Sequence, residues 1–278
     1  MSSATSPVSI PFARRDARNG IVWIKRAYAM FRAAPLRWLL LLFTYYLLIA
    51  LMEFVPPVQA VGQFIAPLLK PVFAVGFLAA AWSQERGIAP RLEHLFRGFR
   101  SNVLALLPLG AVFLAGITLA VMATTLVDDG RLIALMSGAE KPTEEALASS
   151  RVQLAMLFGI ACAIPSLLAL WFAPALVVFN DAGAARAMGV SLRAAIANWR
   201  PIAVYCLAVF VLGGVLPVFA LSIAHLLGDA VAGMVALFVV VPYLFAFVAT
   251  LHISDYVSYR DLFHGDEPPP ATSPDSRD

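Results

Sequence analysis

Six long apolar runs divided by short basic connections predict an all-α membrane protein. The runs cover 38–55, 61–82, 103–127, 154–179, 202–227 and 230–253. A bilayer core about 30 Å thick takes roughly 20 apolar residues as helix, and each run reaches or nears that length. Composition agrees: 61% of the 278 residues are hydrophobic and 13% charged, more apolar side chain than a soluble domain can hide. The third observation is the placing of the basic residues. Arg14, Arg15, Arg18, Lys25, Arg26, Arg32 and Arg37 precede the first run, and Arg86, Arg91, Arg97 and Arg100 join the second to the third. Arg186, Arg193 and Arg200 join the fourth to the fifth, and Arg260 and Arg277 follow the sixth. The other connections hold only Arg131, Lys141 and Arg151, and Lys70 lies inside a run. Positive residues stay in the cytoplasm, so both termini of this multi-pass protein are expected there. The net charge of +3 is not clustered on a solvated domain, which speaks against nucleic acid as partner.

The elements follow in order. Residues 1–19 are polar and lack an apolar stretch before a cleavage site, so they read as a disordered arm and the first span as an uncleaved anchor. Residues 20–263 form the six-helix domain. Each rising span is preceded by a basic amphipathic stretch at helical spacing. Ile21, Ile24, Tyr28 and Phe31 share one face in the first, and Leu92, Leu95, Phe96 and Phe99 in the second. Met188, Leu192, Ala195, Ile196 and Trp199 share one in the third. Apolar faces rimmed by arginine suit helices lying in the headgroup plane. Lys25, Arg26, Arg32, Arg97, Arg100, Arg193 and Arg200 are therefore expected to meet anionic lipid. Pro35 and Pro201 suit first helical positions, and Ser101 or Asn102 would cap the third span. The predicted architecture is three antiparallel hairpins with three interfacial helices on the basic face. It reads either as a degenerate threefold repeat or as elbows common to any such bundle.

The second connection on the opposite side, 128–151, is the one long link there and is net acidic. Thr143-Glu144-Glu145 predicts a capped short helix. Prolines inside the spans, Pro67, Pro71, Pro108, Pro165, Pro174, Pro217 and Pro242, predict kinks and carbonyls in need of other donors. Small residues four apart, such as Gly76 and Ala80, predict close helix contacts. The tail 264–278, with three consecutive prolines at 268–270, reads as disordered.

Chemistry-bearing residues are few. Lys70 is an ionisable residue inside a span, which marks a candidate intramembrane polar site with Glu53, His225 and Asp229 as partners. The other reading is that the second span begins near Pro67 and Lys70 snorkels outward from its first turn. His225 and Asp229 stand four apart at a helix end, and His252 and Asp255 read as interfacial. Cys162 and Cys206 fall at different depths, which disfavours a disulfide. No metal, haem, phosphate-loop or hydrolase spacing occurs, so neither cofactor, catalytic residue nor enzyme activity is expected.

Four segments together carry a resemblance. They are Gly20-Ile21-Val22-Trp23-Ile24, Leu95-Phe96-Arg97-Gly98-Phe99, Phe172-Ala173-Pro174-Ala175-Leu176-Val177, and the closing 256–263 stretch from Tyr256 to Phe263. They resemble an uncharacterised proteobacterial family of polytopic inner-membrane proteins. The layout is similar to YciC-type membrane proteins and to the membrane domain fused to some glycerophosphoryl diester phosphodiesterases. That resemblance implies an inner-membrane protein without established catalytic residues. Mitochondrial carriers share a three-hairpin layout, but their proline–acid–basic signature is absent. Two function classes remain: a non-enzymatic lipid- or envelope-associated structural protein with a membrane-protein partner or a second copy, and a transporter of an amphipathic small molecule past Lys70.

Overall fold

The computed structural model describes residues 10–54, 56–100 and 103–265. The chain is helical along its described length, and six of its helices are long and apolar enough to cross a membrane. In order, α1 (Asn19–Ala33) is interfacial, and α2 (Pro35–Phe54) and α3 (Pro56–Glu85) form the first hairpin. Two short turns, α4 (Leu92–Leu95) and α5 (Arg97–Arg100), lead to α6 (Val103–Ala123) and α7 (Thr125–Asp128). The far end carries α8 (Arg131–Ser137) and α9 (Glu144–Ala148), and α10 (Ser150–Trp171) with α11 (Ala173–Phe179) returns. The third unit is α12 (Ala184–Ala197), α13 (Trp199–Phe210), α14 (Leu216–Leu226), α15 (Asp229–Val235) and α16 (Val241–His264).

The six apolar helices run over Pro35–Met52, Phe64–Glu85, Val103–Asp128, Ser150–Phe179, Trp199–Leu226 and Asp229–His264. The last continues past Ile253, where the apolar run ends, to His264. That extension packs along α1, so the helix keeps burying side chains after leaving the apolar run. Residues 10–18, expected to be part of a disordered arm, are held against it. The Ala13 N–H donates to the Leu262 carbonyl at 2.7 Å, and Phe12 meets Phe263 edge-on. The remainder of both expected disordered ends, and the capping residues Ser101 and Asn102, lie outside the described residues.

Helix α3 is the hub, packed on α2, α6, α11 and α16 and on the short turns α4 and α5. It runs unbroken through Pro67 and Pro71. Gly76 permits one of its close approaches: a Cβ there would sit 2.6 Å from the Leu95 Cα. Gly76→Val should force α3 and α4 apart and destabilise the bundle by about 1–3 kcal/mol, read as a lower unfolding temperature in detergent.

The interfacial helices bury only part of the expected faces. In α1 the buried side is Trp23, Ile24, Ala27 and Phe31, while Tyr28 is 51% exposed. In α12 it is Ala187, Val190, Ser191, Ala194 and Ala195, while Ile196 and Trp199 are exposed. Ala27, Ala187 and Ala194 let each helix lie close on the span ends beside buried Trp23 and Phe31, while Ile21, Tyr28, Ile196 and Trp199 stay exposed. The second stretch is two short helices broken at Phe96, not one. Its first turn is fixed by His94, which takes the Arg91 N–H at 2.9 Å and reaches Ser83 at 3.0 Å.

The prolines divide: Pro67, Pro71, Pro108 and Pro165 sit inside continuous helices, whereas Pro174, Pro217 and Pro242 lie beside breaks or π-helical turns. Pro217 follows a π-helical turn at Val211–Val215 and Pro242 a second one at Ala236–Val240. Tyr243 of the sixth span donates to the Leu212 carbonyl at 2.7 Å. Before Pro174 the fourth span breaks at Phe172, and buried Ser191 clamps the break. Its hydroxyl donates to the Leu168 carbonyl at 2.8 Å and accepts the Phe172 N–H at 3.0 Å. Pro35 does open α2, but Pro201 is the third residue of α13 because the helix already starts at Trp199.

At the acidic end Thr143 caps α9 by accepting the Ala146 N–H at 3.2 Å. Asp128 caps α8 through the Gly130 and Leu132 N–H groups at 3.1 and 2.6 Å. Arg131 pairs with Glu140 at 2.9 Å, and that hydrogen bond holds the guanidinium above its ordinary pKa.

Candidate intramembrane cavity

Lys70 stands near the middle of α3, because the helix starts at Pro56 and not at Pro67. The apolar span begins at Phe64, so Lys70 lies about two turns into it, and it is exposed. Its Nζ lies 4.4 Å from the centroid of the Phe113 ring on α6. Such a contact offsets part of the cost of a cation in hydrocarbon, which is about 2.5–3.5 kcal/mol at a helix centre.

The lysine lines a cavity of about 440 Å³ together with Trp171, Pro174, Tyr205, Leu251 and Asp255. Spans two, three, four, five and six all contribute walls. Most of the lining is apolar, and the polar groups are few and placed apart. Asp255 faces the same space as Lys70 but lies beyond ion-pair distance; among the described residues neither charge has a salt-bridge partner. The Trp171 indole N–H is buried and has no hydrogen-bond partner among the described residues. Tyr205 is committed: its hydroxyl bonds Ser254 at 2.7 Å, and its ring meets Trp171 at 5.4 Å and Trp23 at 6.2 Å. These rings floor the cavity toward the basic end. His252 lies close by and stacks on Phe77 at 4.1 Å between centroids.

Two of the partners expected for Lys70, His225 and Asp229, lie elsewhere. His225 and Asp229 pair with each other at 3.3 Å, both exposed, at the tip of the third hairpin. The Glu53 side chain lies outside the described residues. The expected interfacial residues His252 and Asp255 instead approach Lys70 or its cavity, because α16 extends beyond the apolar run and carries them inside the bundle. The only signal in the sequence was that Asp255 is an acid just past the end of a span, and charged residues are common there. Above the cavity the third hairpin stands apart: α14 packs on α15 and the π-helical turns, with no substantial contact to the other spans among the described elements.

The seven cations expected at lipid, Lys25, Arg26, Arg32, Arg97, Arg100, Arg193 and Arg200, are all exposed.

A probable inner membrane protein of Burkholderia thailandensis is 32% identical over 270 residues, which span 95% of this chain and 97% of that one. No family model matches the chain. No solved structure matches it.

Proposed function

The chain belongs to the family of that Burkholderia inner-membrane protein, and on that premise we propose that it binds an amphipathic small molecule in the Lys70 cavity and passes it across the membrane. The observation that carries this reading is the pair of opposite charges, Lys70 and Asp255, on the walls of one largely apolar cavity. Its volume of about 440 Å³ falls in the range of small-molecule sites. Lys70 offers an ammonium to an anionic group, the Trp171 N–H offers a donor beside it, and the remaining wall takes a hydrocarbon part. The role is non-enzymatic. Both termini are cytoplasmic, and the exposed elbow cations hold the basic face on anionic lipid. The layout shared with YciC-type proteins and with the phosphodiesterase-fused membrane domain fits a lipid-like cargo.

Cysteine labelling tests the cavity. With Cys162 and Cys206 replaced by alanine, Lys70→Cys should react with a charged, membrane-impermeant thiol reagent. Leu119→Cys, well inside the third span at a site 67% exposed, should not. Equal inertness of the two would contradict the proposal.

A further inference from the structure

A second cavity, of about 720 Å³, opens at the basic end between α1 and the last turns of α16. We infer that it is a site for a phosphate group, as carried by an anionic lipid headgroup. Arg15, Arg26 and Arg260 line it, with Glu85 and Asp261 as its acids. Both carboxylates are already covered from the walls. Asp261 accepts from Arg15 at 3.1 Å, from Asn19 at 2.9 Å and from the Trp23 indole at 2.8 Å. Glu85 takes the Tyr256 hydroxyl and stands 3.5 Å from Arg260. Three guanidiniums against two carboxylates leave one positive charge in excess. Arg26 is exposed and has no hydrogen-bond or ion-pair partner among the described residues. It projects from a helix whose buried face is locked by Trp23 and Ala27, so the guanidinium is carried on a rigid wall. Arginine suits phosphate because its planar fork offers two parallel donors. Ala29, Met30 and Ala33 add an apolar side to the same cavity, which suits the glycerol and first methylenes of a lipid. The site is independent of the Lys70 cavity, which shares no lining residue with it.

The test uses the full chain released from nanodiscs of equal phosphatidylglycerol and phosphatidylcholine into native mass spectrometry. Wild type should retain phosphatidylglycerol, Arg26→Gln should retain at least fivefold less, and Arg26→Lys should recover part of it. Arg14→Gln and Arg18→Gln, exposed at the same end but outside the cavity, should match wild type. Added glycerol 3-phosphate identifies the source. Displacement of the lipid means that the phosphate alone suffices, and persistence means that the acyl chains are part of recognition; both support the site. Retention by Arg26→Gln equal to wild type, or equal losses in all three neutral variants, would overturn it.

Discussion

Asp261→Ala should destabilise the protein by about 3 kcal/mol, the largest effect expected of a single substitution at the basic end. Arg15 grips this residue twice, through its carboxylate at 3.1 Å and its main-chain carbonyl at 2.7 Å. Trp23 is fully buried and donates its indole N–H to the same carboxylate. Removing the carboxylate strands that N–H and loosens the Arg15 contact together. Breaking a buried pair on one side costs about 3–5 kcal/mol, and the low end applies because Arg15 retains some solvent. The loss spreads, because the strap around Arg15 is also tied to Asn198, whose side chain accepts the Arg15 N–H at 2.8 Å and donates to the Ala13 carbonyl at 3.0 Å. Thermal unfolding in detergent should show a drop for Asp261→Ala and a smaller one for Asp261→Asn, which keeps an acceptor. An unchanged midpoint for the alanine variant would mean that the strap is not coupled to the bundle.

Lys70→Met should act in opposite directions on stability and on ligand capture. Methionine keeps the length and removes the charge. The empty protein should then be about 1–2 kcal/mol more stable, since the cost of an ammonium within an apolar span disappears and the loss of its contact with Phe113 is smaller. Binding of an anionic amphiphile should be abolished. A residue retained for packing alone would give destabilisation without a binding change.

The sequence carried most of the architecture and little of the cavity. Span number, the interfacial elbows and the Thr143 cap follow from composition, helical spacing and one-residue capping rules, all of which are local. The cavity is not local. Lys70 was legible as a lone cation in an apolar run, but its depth depended on whether α3 starts at Pro56 or at Pro67. A proline-rich stretch does not settle that when neighbouring helices support the backbone. Asp255 and His252 were discounted because the apolar run ends at Ile253, whereas α16 continues to His264 by packing on α1. Amphipathic faces misled in the same way. In α1 and α12 the small residues, Ala27 and Ala187 among them, face the protein, because close packing selects for small side chains and a hydrophobicity pattern registers them weakly.

The measurement that bears most directly on the central reading is native mass spectrometry of the wild type and Lys70→Met, released from nanodiscs made with native lipid extract. The reading predicts a retained amphiphile on the wild type that is missing from Lys70→Met, while the variant unfolds at a higher temperature. Identical spectra, with the same bulk lipid on both, would contradict it.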